Sequence, residues 1–253
     1  MEAPRDAAIE FDEQTHSYRI LSDPDHKYIS VTTWIGTFFK EFDAEAILAA
    51  MKKAKKPNPK YVGMTDDQIK EMWRVNKTDA VIKGVSIHDL IDKHCRGEAI
   101  DPTLITNNPS WDIYQQFVID NPGLTLYKTE WRIFDEEYCL AGTIDALFKS
   151  VTGDWILVDW KRCKKFVHAG YKGIGYARHW AISNMADVNM SHYSLQLNTY
   201  KFILARRYNI NVTAMYLFNV HPDFPSDKPR IVKIEDLSQK ISLLAMTRNN
   251  AAK

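Results

Sequence analysis

Two short segments constrain this chain more than any others: Gly142-Thr143-Ile144-Asp145 and Val158-Asp159-Trp160-Lys161. The first ends an apolar run on a carboxylate, and the second sets a carboxylate and a lysine two residues apart. A turn centred on Thr152-Gly153-Asp154 lies between them, so the two read as neighbouring strands of a hairpin. Strand side chains alternate faces, which sends Asp159 and Lys161 one way and Trp160 the other. If the strands pair, Asp145 reaches the same spot. Two carboxylates and one amine on rigid strands make a seat for a hard divalent cation beside a cationic group.

The surrounding elements predict an α/β fold, a mixed central sheet flanked by helices with a mainly helical N-terminal portion. Residues 1–8 read as a frayed start. Strands are expected at Phe11 to Ile20 and Tyr28 to Thr33, and a helix from Asp43 to about Lys56 stopped by Pro57-Asn58-Pro59. Thr65-Asp66-Asp67-Gln68 has the form of a capping box opening a helix. From Thr78 to Arg96, Val81, Val85, Leu90 and Ile91 are spaced to form one apolar face, ending before Gly97. A helix over Pro109–Asp120 precedes strands at Thr125–Phe134, Tyr138–Phe148 and Trp155–Lys161. An irregular stretch, Phe166–Met190, leads into a helix over Ser191–Tyr208. Strands at Val212–Val220 and Ile231–Ile234 and a helix over Leu237–Arg248 close the chain. We expect one domain over residues 1–253, with an N-terminal portion to about 122 and a sheet core from about 123.

With 45% hydrophobic and 26% charged residues the chain can bury a real core, while a net charge of +1 gives no whole-chain pull toward nucleic acid or membrane. Basic surface must therefore be local: Lys52-Lys53-Ala54-Lys55-Lys56 reads as a solvated face, and Lys161-Arg162 with Lys164-Lys165 as a phosphate contact beside the hairpin. Cys95, Cys139 and Cys163 are odd in number and far apart, which fits neither a disulfide framework nor a four-cysteine cluster and suits a reducing compartment. No apolar run long enough to span a bilayer is present, so a soluble, intracellular protein is expected. His168, His179, His192 and His221 lack zinc-site spacing. Trp73, Trp111 and Trp131 are assigned to packing.

Further motifs stand in order along the chain. Gly84-Val85-Ser86-Ile87-His88 puts a histidine on a helix, Glu130 lies on the strand before the hairpin, and Gln196 and Tyr200 lie four apart on one helix face. Together with Gly142–Asp145 and Asp159–Lys161, this series resembles the RecB-type branch of the PD-(D/E)XK nuclease superfamily. That branch carries a GxxxH helix, a glutamate strand, a G-x-(I/L)-D strand, a D-x-K strand and a QxxxY helix in the same order. Ile29-Ser30-Val31-Thr32-Thr33 is similar to its early SVT segment. Among members without an iron–sulfur cluster, the chain is most similar in character to the mitochondrial genome maintenance exonuclease type. The likeness spans about residues 29 to 220.

The resemblance implies a restriction-endonuclease-like sheet and a metal-dependent deoxyribonuclease, an exonuclease acting on single-stranded DNA ends or flaps. It implies that Asp145 and Asp159 bind Mg²⁺ or Mn²⁺ with help from the Trp160 carbonyl, and that His88 adds a nitrogen ligand. Imidazole favours Mn²⁺ over Mg²⁺. Glu130 joins the catalytic carboxylates, Lys161 orients the attacking water, and Gln196 and Tyr200 contact the nucleic-acid backbone or support the lysine. Lys164, Lys165 and Arg178 are expected to contact the nucleic acid as well. The link between Lys161 and Gln196, with Tyr171, Tyr176, Arg178, His179 and Trp180, reads equally as an arch over unpaired bases or as a cover for the core. Two alternatives share the fold: an inactive nucleic-acid-binding protein and a structure-specific endonuclease.

Overall fold

The computed structural model describes residues 5–53, 56, 58–170 and 174–251, the side chains of 249–251 excepted. Ala54, Lys55, Pro57 and Tyr171, named above, lie outside the described residues, as do residues 1–4 of the expected frayed start. Among the described residues there are eight strands: β1 (Ile9–Asp12), β2 (Ser17–Ile20), β3 (Ile29–Ser30), β4 (Leu124–Asp135), β5 (Leu140–Ser150), β6 (Trp155–Lys161), β7 (Val212–Asn219) and β8 (Ile231–Lys233). Seven α-helices accompany them there: α1 (Val31–Gly36), α2 (Ala44–Lys52), α3 (Asp66–Cys95), α4 (Pro102–Ile105), α5 (Pro109–Asp120), α6 (Asn189–Arg207) and α7 (Ser238–Ala251). None of the described helices is long and apolar enough to cross a membrane.

The expected mixed sheet flanked by helices is present. β3 runs parallel to β5, β5 antiparallel to β4 and β6, β6 parallel to β7, and β7 antiparallel to β8. β4 covers one edge of β5 along its whole length. On the other edge β6 pairs only with Ala146–Lys149 and β3 only with Leu140 and Ala141. The stretch Gly142–Asp145 between them is left without a backbone partner on that edge. Burial fixes the layers. Trp34, Leu195, Ile203 and Ile241 pack on one face of the sheet, and Leu90, Trp111, Phe117 and Trp160 on the other.

Several local expectations are corrected. Phe11 to Ile20 is a hairpin of two short strands, β1 and β2, rather than one strand. Residues 5–8 are ordered rather than frayed: the Arg5 guanidinium lies 4.1 Å from the Phe134 ring centroid and 2.7 Å from Glu136. Only Ile29 and Ser30 are extended. The Ser30 hydroxyl accepts from Thr33 N at 3.0 Å, and this cap starts α1 where a strand had been expected to continue. The capping box forms, but its helix runs unbroken from Asp66 to Cys95. Only the C-terminal end of α3 meets the sheet, burying Ile87, Leu90 and Ile91 and leaving Val81 and Val85 exposed. Gly97, at φ +69°, ends the helix as read.

Asp135, fully buried at the end of β4, joins the sheet to α6 through Arg206 Nε at 3.0 Å and Arg207 at 2.9 Å. Burial raises its carboxyl pKa, but the two guanidiniums outweigh burial and hold it below the usual range. A carboxylate with a lowered folded pKa contributes stability present above its unfolded value, about pH 4, and loses it as pH falls through the folded value. Acid unfolding of Asp135→Asn should therefore show a flatter decline below about pH 4 than the parent. Urea midpoints across pH 2–7 measure this.

Candidate metal centre

The centre lies where β5 and β6 part. Beyond the last pair, Ala146 with Val158, the Asp145 carboxylate takes the place of a backbone partner and accepts Trp160 N–H at 2.8 Å. Ile144 packs on the α6 side of the sheet and Ala146, two residues on, with the α3–α5 side, so the strand's alternation breaks at Asp145. On β4, Glu130 lies opposite, between the pairs Thr129–Ala146 and Trp131–Ile144. Its φ of +42° is left-handed, a conformation that costs a non-glycine residue about 1–2 kcal/mol. Strain of this kind concentrates at functional positions. In an ordinary strand alanine is more stabilising than glycine. Here Glu130→Gly should exceed Glu130→Ala in urea-unfolding stability by about 1 kcal/mol.

His88 comes from the packed end of α3. Its Nε2 lies 3.0 Å from the Trp160 carbonyl, and its Nδ1 3.6 Å from both Glu130 Oε1 and Asp145 Oδ2. Burial disfavours the charged imidazolium, but Asp145 and Glu130 outweigh it and raise the imidazole to about 9. Donor atoms of His88, Glu130 and Asp145 all lie within 4.8 Å of one another. Two carboxylates and an imidazole holding a positive charge between them suit a divalent cation in place of that charge.

This group differs from the ligand set implied by the sequence. The Trp160 carbonyl faces His88 Nε2 and so orients the ring, leaving Nδ1 as the donor toward the carboxylates. Asp159 lies outside the group, and Glu130 takes its place within it.

Buried Asp159 and half-buried Lys161 form an adjoining pair on the α6 side of β6. Lys161 Nζ lies 2.7 Å from Asp159 Oδ2, and it donates to Gln196 Oε1 at 3.2 Å. Gln196 Nε2 in turn donates to Asp159 Oδ1 and to the Tyr200 hydroxyl, each at 3.2 Å. Burial pushes Asp159 up to about 6, with the charge of Asp145 adding to it and Lys161 opposing. Burial raises Asp145 as well, against His88 and Lys161. Lys161 is raised, since Asp159 and Asp145 outweigh its own desolvation, so it stays an ammonium through the neutral range. Gly142 explains why the hairpin motif and the Gln196–Tyr200 motif belong together. A Cβ there would stand 2.6 Å from Tyr200 Cε1, so Tyr200 can seat Gln196 only against a glycine.

Lys164 and Lys165 are exposed just past β6, on a loop anchored by Asn189 Nδ2 donating to the Lys165 carbonyl at 2.9 Å. Arg178 lies on other ground: its backbone N–H bonds Phe38 O at 2.7 Å, and the neighbouring His179 contacts Thr247 on α7. Ile182 is fully buried in the same segment, so this part of the link covers the core. A cleft of about 820 Å³ opens onto the metal group, walled by α3 on one side and the β1–β2 hairpin on the other. Phe11, His16, Arg132 and Thr143 line it, and sequence reasoning assigned a role to none of them.

No family model matches this sequence, and no curated protein matches it. Among solved structures, a protein named SSO0001 is similar at 11% identity and TM-score 0.30 over 60% of this chain, which spans 61% of that protein's length. A structure named "Putative exonuclease", from Eubacterium rectale, is similar at 11% identity and TM-score 0.39 over 89% of this chain and 82% of its own. Neither likeness assigns a role to any residue here.

Proposed function

We propose that this chain is a divalent-metal-dependent deoxyribonuclease of the PD-(D/E)XK type, an exonuclease on single-stranded DNA ends or flaps. One observation supports this reading above the rest. His88, Glu130, Asp145, the Asp159–Lys161 pair and Gln196–Tyr200, scattered along the sequence, meet in one continuous cluster. The two portions read in the sequence act as one unit, since His88 comes from the first and the carboxylates from the second.

His88, Glu130 and Asp145 would hold Mg²⁺ or Mn²⁺, with the imidazole favouring Mn²⁺. A cation there would neutralise phosphate charge and acidify water. The chain's own groups do the rest. Lys161, fixed by Asp159 and Gln196, acts as a donor and positive charge toward the reacting oxygens and not as a base, because it remains protonated. Trp160 O keeps the His88 ring in place, and Tyr200 holds Gln196. Lys164 and Lys165 supply positive charge to the strand leaving the site.

A time course on 5′-labelled linear single-stranded, duplex and closed-circular single-stranded DNA, in Mg²⁺, Mn²⁺ or EDTA, tests this. Metal-dependent shortening of linear single strands, with circles intact, is expected. Cutting of circles would make the enzyme an endonuclease, and tight binding with no cutting in either metal would leave a binding protein.

A further inference from the structure

The cleft beside the metal group has an arginine that the proposed catalytic cluster does not use. Arg132 is exposed on β4, two residues past Glu130, and lines the same cleft. Two residues of strand advance about 7 Å, the reach from one phosphate to the next along an extended nucleic-acid strand. Among the described residues no carboxylate pairs with Arg132. Arg96 on the opposite wall is by contrast tied to Asp92 and Glu98, and Asp89 is tied to Lys93. Charges on the α3 wall are thus paired with one another, whereas the Arg132 guanidinium lies by the Phe11 ring with no carboxylate on it among the described residues.

The hairpin supplies the second half of the feature. Tyr18 OH and Thr143 Oγ1 lie 2.9 Å apart, fastening β2 to β5 directly opposite Arg132, whose register partner is Thr143. Half-buried Phe11, the register partner of Tyr18, lies 5.9 Å from the Arg132 guanidinium, with the His16 ring edge-on to it at 5.8 Å. A planar cation beside an aromatic pair matches a phosphate and the base attached to it.

We propose that Arg132 and the β1–β2 hairpin form a subsite for the nucleotide adjacent to the one being cut, Arg132 holding its phosphate and Phe11 with His16 stacking its base. The proposal rests on the nuclease reading of the neighbouring site and specifies how a single strand is held there. An unpaired base can reach the aromatic pair, whereas a base locked in a duplex cannot.

Fluorescence anisotropy tests it with 5′-fluorescein oligothymidylate in EDTA, over a salt series, for the parent, Arg132→Ala, Arg132→Lys and Phe11→Ala. Arg132 is exposed, and thermal melts identify any variant that misfolds. Arg132→Ala should weaken binding about tenfold and flatten the slope of log Kd against log salt by about 0.7, the contribution of one phosphate on a single strand. Arg132→Lys should keep the slope, and Phe11→Ala should weaken binding without changing it. In cleavage assays the Arg132→Ala defect should fall on KM. An unchanged slope in Arg132→Ala, with the parent cutting DNA, overturns the subsite and leaves the nuclease reading standing. An Arg132-dependent slope in a parent that cuts nothing overturns the nuclease reading and leaves the subsite.

Discussion

Lys161→Ala is expected to slow single-strand cleavage by on the order of 10³-fold, since it removes a fixed positive donor from a water-poor site. The same change should also cost stability. Asp159 is 1% exposed, and Lys161 is its cationic partner. Deleting one member of such a pair strands the other and costs about 3–5 kcal/mol unless the survivor takes up a proton. Asp159, already raised to about 6, is poised to do so. The variant should therefore be destabilised at pH 8 and recover as pH falls, because its remaining acid is more easily neutralised in the folded state. Adding Asp159→Asn should restore stability at pH 8 without restoring cleavage. Urea unfolding beside single-turnover cleavage separates the two effects. Cleavage by Lys161→Ala at the parent rate would remove Lys161 from the chemistry.

Asp145→Asn should lose cleavage together with metal affinity while keeping its fold. Asparagine retains an oxygen that can accept Trp160 N–H, so the contact at the parting of β5 and β6 survives. Burial disfavours the Asp145 charge, so removing it offsets the lost attraction to His88 and Lys161 in the metal-free protein. The metal response should tell the variant from the parent. A ligand bound only by the folded state stabilises by about 2.7 kcal/mol at a hundred times its Kd. Thermal melts with and without Mn²⁺ should show this rise in the parent and none in Asp145→Asn.

The strands that carry the candidate site are legible because their signals are local. Trp155–Lys161 was read to the residue, and Pro109–Asp120 likewise, since proline and an Asn-Pro-Gly stop bound it. His88, Asp145, Asp159, Lys161, Gln196 and Tyr200 each stand out in the sequence through a local motif, and their side chains lie together. What escaped depends on geometry that residue identity does not encode. Nothing in a glutamate announces a left-handed backbone, so the placement of Glu130 with His88 and Asp145 needs the β4–β5 register. The direction of the Trp160 carbonyl is equally silent in sequence. Val81 and Val85 have the spacing of a core face yet lie exposed, because α3 extends past the sheet that would have covered them. Arg132 and Phe11 carry no motif, and it is the seating of the β1–β2 hairpin on the sheet, through Ile9 and Ile20 against Phe134 and Ala141 and Tyr18 against Thr143, that brings them together at the cleft.

Binding of Mn²⁺ itself, followed by electron paramagnetic resonance in the absence of DNA, tests the central claim most directly. The parent should take up the ion, and His88→Ala, Glu130→Gln and Asp145→Asn should each lose that binding while still melting cooperatively. A parent that binds no Mn²⁺, or three variants that bind it as the parent does, would contradict a metal centre at His88, Glu130 and Asp145.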